Sequence, residues 1–267
     1  MDLFHDRAAA LPELDHRGRV AALQQAVAGL DVDVTVISKL VNVRYLCGFT
    51  GSHALLVVGR HGALTLVTDG RYRDQAAQQL AEAGVDAALR VETAKFDEAV
   101  AEVIRESAGL GGEPIRLGLE ADGVSWAEQR RYAEQFPDAH LEALSGLVEG
   151  LRACKEPGEI ARMELAAHIA DQALADVIGS LHRQPTEREF ALELEVAMRR
   201  LGADGPSFET IVASGPNGAL PHARPGPRRI ERGDLVVLDF GALVAGYHSD
   251  MTRTVCVGPA TAAQRRQ

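Results

Sequence analysis

The sequence predicts an α/β domain with a mixed sheet, followed by an α+β domain. Strand patterns alternate with helical patterns of roughly 10–15 residues through the first half of the chain, as in α/β domains. The second half has two long helical patterns and then strands. A length of 267 residues allows one large domain or two ordinary ones. Because the alternation ends near Leu144, we predict domains at residues 1–144 and 145–267.

The composition is that of a globular protein of the cytoplasm. Apolar residues make up 46% of the chain and charged residues 25%, and the net charge of −10 argues against a nucleic-acid partner. No run reaches the ~20 apolar residues of a spanning helix, and the N-terminus lacks the apolar stretch of a signal peptide, so we expect no membrane association. Three scattered cysteines without CxxC spacing favour a reducing compartment.

The first half contains four helical and six strand patterns. Asp15 is the predicted N-cap of the first helix, and Gly59 to Gly62 form the turn of a predicted hairpin. The helical patterns cover residues 14–30, 71–84, 96–109 and 125–136, and the strands cover 32–38, the hairpin of 53–70, 87–92, 115–120 and 140–144.

The second half begins with two capped helices. Pro157 suits the first turn of a helix, and an amphipathic pattern follows over 160–181. Thr186 and Glu189 form a capping box for a helix that stops at Gly202. A short strand over 208–214, a loop rich in proline and glycine and a hairpin over 235–258 complete the domain. The residues after Pro259 resemble a helix start, and we expect the sequence to be a fragment of a longer chain.

The hairpin raises a question, because each of its apolar strands carries an aspartate. A turn at Val244–Ala245 would place Asp239 directly opposite Asp250, with Cβ atoms roughly 4.5–5.5 Å apart. Two carboxylates this close repel each other, and a divalent cation or a pair of cations removes that repulsion. Oxygen ligands favour ions such as Mn²⁺, Mg²⁺ or Co²⁺. The alternative is that hydrogen bonds from Thr252, Thr254 or backbone N–H groups satisfy each aspartate, and strand spacing alone leaves both interpretations open.

A family resemblance favours the metal. The segment LDFGALVAGYHSDMTRT resembles the metal-binding hairpin of the pita-bread (M24) metallopeptidases, which include Xaa-Pro aminopeptidases, Xaa-Pro dipeptidases (prolidases) and methionine aminopeptidases. Its pattern is Asp-x-Gly, then Ser-Asp-x-Thr-Arg-Thr. NGALPHARPG resembles the family's loop with a substrate-side histidine, and LRACKEPGEIARMELAAHIAD resembles the first helix of its catalytic domain. NVRYLCGFTGSHALLVV and LVTDGRYRDQA resemble the creatinase-like N-terminal domain, which methionine aminopeptidases lack. The resemblance therefore points to the proline-specific branch.

The resemblance implies a fold, an activity and a site. The fold would be an α/β creatinase-like N-terminal domain followed by the first half of an α+β pita-bread catalytic domain. The activity would be metal-dependent hydrolysis of the Xaa-Pro bond at the N-terminus of a proline-containing peptide or dipeptide. Asp239 would bind one of two divalent metal ions, Asp250 would bridge both, and His222 would contact the substrate near the scissile bond. The ions would be Mn²⁺, with Co²⁺ or Zn²⁺ as alternatives, and the full-length protein would be a homodimer.

The chain departs from the family pattern in one respect. The family's other three ligands, a histidine and two glutamates, lie on C-terminal segments that these residues do not contain, so we expect the chain to be inactive by itself. His248 and Glu209 are conceivable substitutes that no motif supports. The rival hypotheses are a metal-free, creatinase-like amidinohydrolase, a non-catalytic peptide- or protein-binding module of the same fold, and a fragment that scaffolds or dimerises.

Overall fold

A mixed six-stranded sheet forms the centre of the first of two compact units. The computed structural model describes residues 10–109 and 114–266, and its contacts divide the chain into Leu14–Lys155 and a second unit of Glu156–Gln267 with the N-terminal segment through Glu13. The strands of the first unit are β1 (Val34–Ile37), β2 (Ala54–Gly59), β3 (Leu64–Thr68), β4 (Ala88–Val91), β5 (Arg116–Glu120) and β6 (His140–Leu144). Its helices are α1 (His16–Ala28), α2 (Leu40–Cys47), α3 (Arg73–Glu82), α4 (Phe96–Ala108), α5 (Trp126–Gln135) and α6 (Leu147–Ala153).

The sheet is buried on both faces by apolar residues that alternate along its strands. Its order is β4-β3-β2-β1-β5-β6, with antiparallel β1–β2 and β2–β3 pairs and parallel β3–β4, β1–β5 and β5–β6 pairs. On β2, Leu56 and Val58 belong to one apolar cluster, whereas Val57 belongs to another. Successive side chains point to opposite faces of a strand, so a helix layer covers each face. The predicted mixed sheet is present.

Two short helices, α2 and α6, were not predicted from the sequence. Both are about two turns long, and neither has a side-chain N-cap. Isolated helices of this length are marginal in water. They form because the fold supplies their contacts: Val43 and Leu46 of α2 and Val148 of α6 lie in one apolar cluster. Because α6 packs in this core, the structure ends the first unit at Lys155, eleven residues after the predicted boundary at Leu144.

The second unit packs two helices against two three-stranded sheets. Its helices are α7 (Pro157–Val177), which continues as a 3-10 helix over Ile178–Arg183, and α8 (Glu187–Arg200). Its strands are β7 (Gly205–Pro206), β8 (Ile211–Ser214), β9 (Leu235–Phe240), β10 (Ala242–Val244), β11 (Tyr247–His248) and β12 (Met251–Cys256). They form sheets of order β11-β10-β7 and β12-β9-β8.

The predicted helix boundaries of this unit follow from its caps. Pro157 occupies the first turn of α7, where its missing N–H costs no hydrogen bond. Thr186 Oγ1 accepts a hydrogen bond from Glu189 N at 3.2 Å, and Glu189 Oε2 accepts one from Thr186 N at 2.7 Å, so the predicted capping box is present. In the described part of the chain, no helix has the length and apolar character needed to span a bilayer.

Candidate functional site

Asp239 lies on the face of β9 that points away from the helices. Val236, Leu238 and Phe240 are fully buried in the apolar cluster shared with α7 and α8. Side chains alternate along a strand, so Asp239 takes the opposite face, where it is half-buried. The aspartate is therefore not placed in the core that its apolar neighbours build.

The predicted pairing of Asp239 with Asp250 is wrong. The turn contains Ala245 and Gly246, so that Leu243 pairs with His248 and, further along, Asp239 pairs with Thr252. Both turn residues have positive φ, 49° and 87°, as a type I′ hairpin turn requires. A turn centred on Val244 would force a β-branched residue into that conformation. The true register differs from the predicted one by two residues.

Asp250 directly precedes β12, the strand whose threonines share the face of Asp239. A shift of one residue would exchange the faces of a strand, whereas a shift of two preserves them. Thr252 and Thr254 of β12 share the face of Asp239, and Asp250 precedes Thr252 by the same spacing of two. Asp250 itself is exposed and lies between β11 and β12, outside the ladder. The two carboxylates are therefore not an opposed pair.

A hydrogen bond from the opposite strand orients Asp239. Thr252 Oγ1 donates to Asp239 Oδ1 at 3.1 Å. This is the interaction that the hydrogen-bonding alternative predicts for a strand aspartate. The next motif residue, Arg253, points to the other face, where it pairs with Asp171 of α7 at 3.3 Å. The threonine therefore holds the carboxylate, and the arginine ties β12 to the helix.

The glycine and serine of the hairpin motif are required by close packing of its two strands. A Cβ at Gly241 would overlap the carbonyl group of Ser249. Ser249 Oγ is buried; it accepts a hydrogen bond from Ala242 N at 2.9 Å and donates to Ala166 O at 3.2 Å. Ser207 Oγ donates to Ser249 O at 2.6 Å. These contacts fix the backbone immediately before Asp250.

The described residues supply only part of a metal site. Asp239 and Asp250 are carboxylate donors of the kind that hard divalent ions prefer. Two carboxylates cannot fill two coordination spheres of roughly four to six donors each. Over residues 10–109 and 114–266, no cluster of three or more histidine, cysteine, aspartate or glutamate side chains is suited to hold a metal ion.

The two substitute ligands considered from the sequence are occupied elsewhere. His248 is exposed, and its Nδ1 donates to Ser207 O at 3.1 Å. Glu209 Oε2 lies 3.3 Å from Arg224 Nη2 in an exposed ion pair. Exposed pairs of this kind contribute little to stability. Both side chains therefore make polar contacts at the surface.

His222 is exposed in a loop between β8 and β9. The loop begins with a 3-10 helix over Gly215–Ala219, and His222 follows in a turn. The sequence identified this loop by its prolines and glycines but gave no indication of what anchors it. In the structure, the buried carboxylate of Glu187 accepts hydrogen bonds from both ends of the loop. The only sequence signal for this residue is a charged side chain inside the capping-box segment TERE.

Comparisons with known proteins place this architecture in a family. The model of metallopeptidase family M24 matches residues 161–267, and that of the creatinase/prolidase N-terminal domain matches residues 19–154. The chain is similar to the "Uncharacterized peptidase YqhT" of Bacillus subtilis, with 38% identity over 90% of this chain and 65% of the relative. It is also similar to the Xaa-Pro dipeptidase of Pyrococcus furiosus, with 34% identity over 88% and 63% of the two chains.

Comparison with solved structures leads to the same family. An Xaa-Pro dipeptidase from Bacillus anthracis matches with a TM-score of 0.85 and 33% identity, over 94% of this chain and 68% of that chain. An X-Pro aminopeptidase from Thermotoga maritima matches with a TM-score of 0.79 and 30% identity, over 91% and 67%. The chain therefore belongs to the M24 metallopeptidase family and carries the creatinase/prolidase N-terminal domain. Its predicted fold class is confirmed. The chain spans 65% and 63% of the length of the two curated relatives described above.

Proposed function

We propose that this protein hydrolyses the Xaa-Pro bond at the N-terminus of dipeptides or short peptides with the help of divalent metal ions. The main support is the hairpin motif: both aspartates of the family's pattern are present, on a fold whose solved neighbours include an Xaa-Pro dipeptidase. The curated relative from Pyrococcus furiosus carries the same name. The creatinase/prolidase domain before the M24 region favours a proline-specific peptidase.

Asp239 and Asp250 would supply two of the metal ligands. The proposed metal is a pair of Mn²⁺ ions, with Co²⁺ or Zn²⁺ as alternatives. Such ions activate a water molecule and polarise the scissile carbonyl. Thr252 holds Oδ1 of Asp239 by its hydrogen bond and would keep that carboxylate in one orientation. Ser249 and Gly241 would hold the backbone of Asp250 by their close packing.

His222 would act on the substrate rather than on the metal. An imidazole N–H can donate a hydrogen bond to the oxygen that gains negative charge when the carbonyl is attacked. The exposure of His222 at the surface of its loop leaves the ring accessible to a peptide. Its contribution would be electrostatic, and its position would depend on how firmly the loop is held.

We further propose that the 267-residue chain alone is inactive and that the longer protein is a homodimer. Two carboxylates leave most metal coordination positions unfilled. Purified chain should therefore show no Xaa-Pro hydrolysis with added Mn²⁺. Light scattering of the longer protein should give the molar mass of two chains.

The DNA downstream of Gln267 provides the first test. We expect an in-frame continuation that encodes one more histidine and two glutamates in the family's pattern. The longest product should hydrolyse an Xaa-Pro dipeptide but not the reversed Pro-Xaa dipeptide, and it should contain metal by elemental analysis. Asp239→Asn should reduce both activity and metal content. A metal-free product that hydrolyses a guanidino compound, or one without hydrolytic activity, would contradict the proposal.

A further inference from the structure

The carboxylate of Glu187 is a buried acid of the second unit that accepts several hydrogen bonds. It is the first residue of α8 and is fully buried. Oε1 accepts hydrogen bonds from Ser214 N at 2.8 Å, Ser214 Oγ at 2.7 Å and Asn217 Nδ2 at 3.0 Å. Oε2 accepts from Gly226 N at 3.1 Å and from Asn217 Nδ2 at 3.2 Å. One side chain thus binds two backbone N–H groups, a hydroxyl and an amide.

These partners lie on both sides of His222 in the chain. Ser214 ends β8 and Asn217 opens the loop, whereas Gly226 comes four residues after His222. Backbone hydrogen bonds support the same closure, since Glu187 N donates to Arg228 O at 3.0 Å and Arg188 N donates to Gly226 O at 3.1 Å. The carboxylate therefore joins the two stems of the loop that carries the histidine.

The charge of Glu187 is stabilised where it lies. Burial raises the pKa of this carboxyl, but the hydrogen bonds from Ser214, Asn217 and Gly226 outweigh burial, and the net pKa is lowered. An ion pair continues the network: Arg228 Nη1 donates to Ser214 Oγ at 2.6 Å and to Asp234 Oδ2 at 2.6 Å. Asp234 precedes β9, the strand that carries Asp239. The network thus connects the loop to both strands that flank it.

Helix capping does not account for this arrangement. The N-terminus of α8 already has a complete capping box formed by Thr186 and Glu189. An acidic residue in the first turn interacts favourably with the helix dipole at an exposed position as well, whereas burying a carboxylate is costly unless it is fully hydrogen-bonded. The position of Glu187 is explained by its loop partners.

We propose that Glu187 is a positioning residue that fixes the loop carrying His222. The inference rests on the proposed function only for the role of His222 in the reaction. The loop closure itself follows from the contacts of the carboxylate.

The test uses the 267-residue chain and two variants. Glu187→Gln keeps the shape of the side chain but loses its charge and half of its acceptor capacity. Glu189→Gln is the matched control on the same helix turn, because glutamine also serves in a capping box. Two signals are measured: amide exchange at Ser214 and Gly226, and the imidazole NMR signals of His222.

We expect a local effect. Hydrogen bonds to a charged group are strong enough that their loss should raise amide exchange at Ser214 and Gly226 by about tenfold or more in Glu187→Gln. The signals of His222 should shift and narrow relative to the wild type, because its loop becomes more mobile, while those of His168 and His182 stay in place. Glu189→Gln should behave as the wild type.

Several results would overturn the inference. Wild-type rates and His222 signals in Glu187→Gln would show that the carboxylate does not hold the loop. Unfolding of the whole second unit by this variant would make it a residue of the domain core instead. Lack of protection at Ser214 and Gly226 in the wild type would show that the closure does not form. None of these signals depends on catalysis. The test therefore decides this inference even if the protein shows no peptidase activity.

Discussion

At the scale of single residues, the hairpin motif combines two kinds of requirement. Asp239 and Asp250 are the predicted metal ligands, and Thr252 donates a hydrogen bond to the first of them. Gly241 and Ser249 are packing requirements: the strands approach so closely that no Cβ fits at Gly241, and the Ser249 hydroxyl bonds the neighbouring backbone. A motif read from sequence alone does not separate these roles. The contacts do.

Replacing Gly241 tests the packing requirement. Gly241→Ala should lower the free energy of unfolding of the second unit by about 1–3 kcal/mol, because the added methyl group overlaps the Ser249 carbonyl and the backbone must move. Urea titration followed by amide exchange in this unit measures the change. Gly179→Ala is the control, since a Cβ there meets nothing within 4 Å. Equal stability of the two variants would contradict the packing argument.

Glu120 is a second buried acid whose partners can be tested. Oε2 accepts hydrogen bonds from Ser38 N at 2.6 Å and Lys39 N at 2.7 Å, and Oε1 accepts from Asn42 Nδ2 at 2.6 Å. Glu120→Gln should destabilise the first unit by about 1.5–3 kcal/mol, because charge-assisted hydrogen bonds are lost. Glu142→Gln on the exposed surface of β6 should change the same unfolding midpoint little. A midpoint unchanged by Glu120→Gln would show that this carboxylate is dispensable.

At the scale of elements, α2 and α6 form because they bind each other. Lys39 Nζ lies 2.8 Å from Glu149 Oε1, and Arg152 Nη1 donates to Asn42 Oδ1 at 2.9 Å. Asn42 also donates to Glu149 Oε1 at 3.0 Å. These contacts join residues more than a hundred positions apart, which explains why local sequence patterns gave no sign of either helix.

The pair between Lys39 and Glu149 should make the first unit sensitive to acid. The hydrogen bond from Lys39 is the main reason that the pKa of Glu149 falls from its usual 4.5 to about 2. A lowered carboxyl pKa stabilises the folded state above the unfolded pKa of about 4.5, and this stabilisation is lost as the pH falls toward about 2. The stability advantage of the wild type over Glu149→Gln should therefore shrink from about pH 5 to about pH 2.5.

A double-mutant cycle isolates this effect. In a Lys39→Met background the same Glu149→Gln substitution should show a much smaller pH-dependent difference, because its main partner is gone. Urea midpoints of the first unit at each pH provide the measurement. An advantage of the wild type that is constant with pH would refute the assignment.

The hairpin register is another property of whole elements. Apolar alternation predicted both strands, but it is compatible with any shift of two residues. The turn decides between these registers, since a type I′ turn needs two residues of positive φ, and Ala245 with Gly246 provides them.

At the scale of the whole molecule, the two units differ in how completely apolar contacts and neighbouring strands cover their sheets. The sheet of the first unit has apolar clusters on both faces. In the second unit, β12 has a partner only on the β9 side among the described residues, and Leu235 and Val237 of β9 are only partly buried. A free strand edge beside partly exposed apolar residues is an aggregation hazard.

The 267-residue chain should therefore unfold in two steps. We expect the second unit to melt at the lower temperature and to bind a hydrophobic dye, whereas residues 14–155 expressed alone should unfold cooperatively without binding it. Calorimetry and dye fluorescence measure both properties. A single transition shared by both units, without dye binding, would contradict the expectation.

The sequence by itself determined the order of the longer elements and the succession of two domains, whereas Asp239, Asp250 and His222 stay predicted site residues. Periodicity, caps and turn residues act within a few positions of the chain, so a linear reading detects them: Asp15, Pro157 and Thr186 all begin the helices that were predicted. Only the tertiary structure decided the partner of Asp239, the existence of α2 and α6, and the buried place of Glu187. Each of these depends on contacts between residues that are distant in sequence. A local sequence pattern does not indicate how stable such contacts are.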